Sequence, residues 1–106
     1  MNIDGQLGDG TTDSRTTPVE VLGITTATSV AIGAYESCAV LTNGKVMCWG
    51  ENEHGELGDG TTTSSSTPVE VSGITTATQV AVGRDHSCAL LTGGTAKCWG
   101  LNDEGQ

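Results

Sequence analysis

Apolar and polar positions alternate along this chain in short runs, and no run has the length or 3.6-residue period of a helix. TPVEV (residues 17–21) puts Val19 and Val21 on one face, and TSVAIG (28–33) pairs Val30 with Ile32. ESCAVLT (36–42) and KVMCWG (45–50) alternate in the same way. Each run is rich in β-branched residues and bounded by Gly, Asn, Pro or Ser/Thr clusters, the signature of strands separated by turns. TTATS (25–29) predicts one short turn at most. The pattern is that of an all-β chain.

The same pattern then repeats. With residues 1–50 laid on 51–100 without a gap, 32 of 50 positions are identical, and Pro18, Cys38, Cys48 and Trp49 fall on Pro68, Cys88, Cys98 and Trp99. Residues 101–106 restart the motif, so the 106 residues form one unit of two repeats, 1–50 and 51–100, plus six residues. A period near 50 points to propellers or related arrays rather than to helical solenoids.

The VAxG strand, the SCAL-like strand, CWG, NxxGxLGDGTT and TPVxV together resemble the repeat of the regulator of chromosome condensation family, in its Cys-containing bacterial form. That resemblance covers the chain twice. It implies a seven-bladed β-propeller of four-stranded antiparallel blades, strands A to D running outward from the axis. On this template one blade is A 29–33, B 36–42, C 45–49 and D 67–71, and a second supplies A 79–83, B 86–92 and C 95–99. The blade is out of phase with the sequence repeat: 17–21 is a D strand without a blade, and the second blade lacks its D strand. Open edges of this kind invite pairing with another chain. The strand Thr17, Pro18, Val19, Glu20 and Val21 is therefore expected to complete the second blade of a neighbouring copy, a heterologous contact that closes a ring. Four copies would give eight blades and three would give six. Eight departs less from the blade angle of a seven-bladed ring, so four chains are preferred over three, and either over a monomer. Trp49 and Trp99 are expected to pack between blades rather than to form a binding platform.

The four cysteines lie ten residues apart within each repeat, which fits no zinc pattern, and His54 and His86 have no paired ligand at useful spacing. LTNGKV and LTGGTA share Gly44 and Gly94, which predicts a three-residue loop: a type I turn followed by a left-handed glycine. That loop sets Leu41 opposite Lys45 and, counting back, Cys38 opposite Cys48 in the closer, non-hydrogen-bonded kind of pair, near the short edge of disulfide range. The register favours disulfides Cys38–Cys48 and Cys88–Cys98 over the alternative of small buried hydrophobes with free thiols. Disulfides would place the parent protein in an oxidising compartment, extracellular or on the cell surface.

Composition narrows the function classes. Leu, Ile and Val number 20 and Phe is absent, so a thin core is expected. A formal charge of −9 repels phosphate backbones and anionic lipid, so neither nucleic acid nor membrane is expected as a partner. There is no run of 18 apolar residues and no basic start leading into an apolar segment, so no membrane helix and no signal peptide are expected within these residues. GELGDGTT lacks the Lys and helix of a phosphate loop and the ligand count of a Ca²⁺ loop. Tight turns account for its glycines. No catalytic constellation emerges and no cofactor is implied. The nucleotide-exchange activity of the family's eponymous member needs a full ring and a basic surface, and is not carried over. The reading is a non-catalytic, self-assembling two-repeat propeller fragment, natural or engineered. The alternative is a protein- or ligand-binding module that uses its loop face, where 34–36 and 84–86 differ between copies.

Overall fold

A strand whose residues are apolar on both faces must be covered twice, and the second strand of each repeat is of this kind. In the computed structural model, which describes residues 5–13, 19–52, 57–84 and 86–100, the chain meets that demand by stacking two antiparallel sheets. The first sheet is the meander β1 (Ala27–Ile32), β2 (Glu36–Leu41), β3 (Val46–Gly50) and β4 (Ser65–Glu70), paired in that order. The second is β5 (Ala77–Val82), β6 (His86–Leu91) and β7 (Ala96–Gly100), likewise in order. There is no helix among the described residues, and hence none long and apolar enough to cross a membrane.

The strands follow the alternating runs closely, with two departures. The stretch expected to form a turn, 25–29, instead enters β1 at Ala27. Pairing slips between Ala27 and Ser29, and the Thr28 hydroxyl donates to Val40 O at 3.3 Å across the slip. Thr78 repeats the device on Leu90 O. A threonine hydroxyl thus lets the strand continue through an irregularity that periodicity reads as a stop. The second departure is at the hairpin. Leu41 N–H donates to Lys45 O and Gly44 has φ +81°, as the three-residue loop requires. In the second copy Gly93 as well as Gly94 lies at positive φ, so the turn is of another type. Asn43 keeps to negative φ where Gly93 does not, and the register is the same in both.

The core lies between the sheets. Cys38, Val40, Val46 and Cys48 of the first sheet face Ala89 and the half-buried Val80, Val82, Leu91 and Trp99 of the second, with Leu57, Val71, Ile74 and Ala77 filling the seam. Leu57 is the largest fully buried side chain; the rest of that interior is mostly Val, Ala and Cys. Ser87 Oγ donates to Glu36 Oε1 at 2.7 Å across the seam, and Ala77 N–H donates to Gly44 O at 2.8 Å. Gly33 meets the second sheet so closely that a Cβ there would lie 2.5 Å from Gly83 O.

One buried amide holds the Gly-rich loop in place. Asn52 Oδ1 accepts from Leu57 N–H at 2.9 Å, while its Nδ2 donates to Thr61 O and Thr63 O, both at 3.0 Å. This fixes Leu57 in the seam. Asp59 Oδ1 accepts from Thr61 Oγ1 at 2.7 Å and Thr61 N–H at 3.0 Å, an Asx-turn. Burial pushes the Asp59 carboxyl up, but the hydrogen bonds from Thr61 and Asn52 outweigh it and hold the group below its ordinary value.

Two outcomes follow from this packing. Leu57→Ala should cost roughly 3 kcal/mol in chemical denaturation, whereas Leu7→Ala, at the matched but half-buried position, should cost under about 1.5 kcal/mol in the monomer. Asp59 is depressed in the folded state, so its charge contributes stability above its unfolded pKa and loses it as pH falls through the folded value. The Tm advantage over Asp59→Asn should therefore be full at neutral pH and shrink below about pH 3.8.

Candidate functional site

Each sheet has one face in the seam and one that is not, and those two outer faces are built differently. The outer face of the first sheet carries Val30, Ile32, Ala39, Ser37 and Trp49. Residues 5–13 and 19–24 fold back over part of it. Trp49 Nε1 donates to Gln6 O at 2.7 Å, Ser37 Oγ donates to the same carbonyl at 3.1 Å, and Leu22 N–H reaches Gly8 O at 2.8 Å. What remains is an open apolar groove of about 340 Å³, lined by Val19, Val21, Ile24, Val30, Ile32 and Trp49 among others. Val30 is 56% exposed and Ile32 69%.

The outer face of the second sheet presents its disulfide. Cys88 is half-buried and Cys98 exposed, beside Leu90 at 42% and Ala96. A shallower depression of about 180 Å³ runs over Cys88, Leu90 and Ala96. Among the described residues no fourth strand flanks β7 on the side where β3 carries β4.

Both disulfides form in the expected register, Cys38 opposite Cys48 and Cys88 opposite Cys98, with Cα atoms 4.1 and 4.0 Å apart. Their surroundings differ: Cys38–Cys48 is fully buried in the seam and Cys88–Cys98 looks outward. Glu36 lies against Cys38 and Cys48, but both sulfurs are in the disulfide, so this group offers a metal a single carboxylate. Of the expected exchanging strand, Thr17 and Pro18 lie outside the described residues, and so does His54. Val19–Val21 form no strand, and the Val21 N–H finds no acceptor among the described residues, whereas its counterpart Val71 N–H donates to Val46 O at 2.9 Å. Trp99 packs into the seam with Gly58 and Val71 close to its ring; Trp49 sits under residues 6–8 on the outer face. Sequence reasoning missed Asn52 and Glu36. Asn52 is detectable as the first residue of NxxGxL, whereas Glu36 is matched by His86 in the other copy and gave no signal.

A four-stranded and a three-stranded up-and-down meander stacked face to face, with the chain passing from the last strand of one to the first of the next, have the arrangement of β-propeller blades. The chain belongs to the regulator of chromosome condensation (RCC1) repeat family, whose repeat models match residues 1–40 and 43–90 and, in a second form, 27–56 and 77–106. Among solved structures it is similar to human WBSCR16, with 22% identity, a TM-score of 0.77, and coverage of 97% of this chain and 28% of that one. It is also similar to Prp20p from Saccharomyces cerevisiae, in a structure described with its binding to Gsp1p and histones. The identity is 20% and the TM-score 0.76, over 97% of this chain and 28% of that one. Yeast RCC1 (Prp20) bound to Kap60 matches at 21% identity and a TM-score of 0.73, covering 92% and 26%. The chain thus spans about a quarter of the length of these structures. A search of curated proteins gave no significant match.

The asymmetry of the disulfides has a direct readout. Under mild reductant at low protein concentration, Cys88–Cys98 should open first and Cys38–Cys48 only on unfolding. Differential alkylation followed by mass spectrometry of the peptides gives the order; simultaneous reduction, or Cys38–Cys48 opening first, would contradict the difference in burial between the two.

Proposed function

We propose that this chain is a non-catalytic structural unit, a pair of blades that completes a propeller by joining head to tail with further copies of itself. The observation that carries this reading is that its two outer faces are the two halves of its inner seam. Leu57, Val71 and Ile74 are buried between the blades; their counterparts Leu7, Val21 and Ile24 lie half-buried on the outer face of the first blade, in the same relation to Trp49 as Val71 bears to Trp99. The missing layer is a disulfide-bearing face such as Cys38, Val40, Val46 and Cys48 provide inside, and Cys88, Leu90, Ala96 and Cys98 present that face at the other end. A neighbour so docked would also receive Val19–Val21 as the fourth strand of its second blade.

Ring size follows from blade angle. Two blades matching 28% of the longer chains accords with about seven blades in those rings, or about 51° per blade. Four copies need about 45° per blade and three about 60°, so four are preferred. The disulfides suit an oxidising, extracellular setting. Binding of another protein through the loop face is the second reading, favoured by the exposed Ala34 and Arg84 in matched loops that differ between copies.

Light scattering without reductant should give the mass of four copies at micromolar concentration. Ile32→Asp changes a side chain that is 69% exposed in the monomer, so it should leave the circular dichroism spectrum intact and reduce the mass to one copy. A wild-type protein that stays monomeric and well folded at high concentration would overturn the proposal.

A further inference from the structure

We infer that the joint between copies is a β-ladder in which Val19 lies opposite Cys98 and Glu20 opposite Lys97 of the neighbouring copy, and that Lys97 there takes over the part Lys45 plays inside the chain. This deepens the self-assembly reading and rests on it.

The register comes from the pairing that is present. Met47 lies opposite Glu70 and Cys48 opposite Val69, while Val71 N–H donates to Val46 O. Moving each residue of β3 forward and each residue of β4 back by one repeat of fifty gives Lys97 with Glu20, Cys98 with Val19, and Val21 N–H on Ala96 O. The last of these supplies the acceptor that the Val21 N–H lacks among the described residues of the single chain.

What argues for a second copy, rather than an arbitrary strand, is that the positions where the repeats differ compensate each other across this joint. Inside the chain, Lys45 Nζ lies 3.3 Å from Glu70 Oε1, a diagonal cross-strand ion pair. The second repeat has Thr95 in place of Lys45, which would leave Glu20 without a cation, but it has Lys97 in place of Met47. The positive charge has moved two residues along the strand and stands directly opposite Glu20. The apolar positions behave likewise. Leu90 is one carbon larger than Val40, Ile32 is one carbon larger than Val82, and Ala96 is two carbons smaller than Val46. The carbon count of the joint is therefore unchanged, which is what a close-packed interface tolerates best. At the seam's polar contact His86 replaces Glu36, and a ring N–H there can donate to the Ser37 hydroxyl oxygen, whose own hydrogen stays on Gln6 O.

Charge exchange tests this. Glu20 and Lys97 are both exposed in the single chain, so Glu20→Lys and Lys97→Glu should leave the monomer fold unaltered. Each single variant sets like charges opposite one another and should weaken every joint roughly fivefold, compounding around the ring. The double variant should assemble like wild type, and sedimentation across a concentration series at low salt reads all three. Mixing the two single variants makes every joint complementary when they alternate, which only an even-numbered ring allows, so full rescue by mixing also supports four chains over three. If wild type does not assemble, the self-assembly reading itself fails. If wild type assembles but the single variants match it, or the double variant fails to rescue, this register is wrong and the copies meet elsewhere.

Discussion

The structure depends on one packing constraint: a sheet of short strands with small apolar side chains on both faces cannot bury itself. Here most of the burial is supplied by one seam, in which a disulfide-bearing face meets a tryptophan-bearing face and Leu57 closes the gap, while the other face of the first sheet is covered only in part. A core this poor in large side chains has little margin, and two devices stiffen it. The buried disulfide Cys38–Cys48 ties the two central strands of the first blade across a short loop, and short loops place the effect toward the lower part of the roughly 2–4 kcal/mol that disulfides contribute. Asn52 fixes the loop that delivers Leu57, so a polar network positions the largest apolar contact of the core.

The same constraint connects the fold to function. An interior seam repeated along the chain leaves one unmatched half at each end, and in this chain each half is present with some of its apolar side chains exposed. Ile32 and Val30 at one end and Leu90 at the other are what Val82, Val80 and Val40 are inside. A closed circle is the arrangement in which no half is left over. Family membership supplies the architecture but no activity: the matched structures are longer and about a fifth identical, which speaks to fold alone.

Much of this was legible in the residues. The alternation of ESCAVL and the glycine at matched hairpin positions fixed the register that brings Cys38 to Cys48, because register in a hairpin is set by loop length. The repeat then carried the result to Cys88 and Cys98. Thr28 was not legible, since a hydroxyl bridging an irregular strand looks in sequence like a polar turn residue. Nor was Glu36, whose burial depends on a serine 51 residues away in the facing blade. The difference between the two disulfides was invisible for the same reason: the same SCA and CWG triplets surround both, and their burial differs with the presence or absence of a neighbouring blade.

That difference makes the central claim measurable. The rate at which reductant opens Cys88–Cys98 should depend on protein concentration, fast when the chains are dispersed and slowing toward the rate of Cys38–Cys48 as they associate, because the joint buries the outer disulfide as the seam buries the inner one. A rate for Cys88–Cys98 that stays fast and independent of concentration, while the mass in solution rises, would show that the copies associate without joining these two faces.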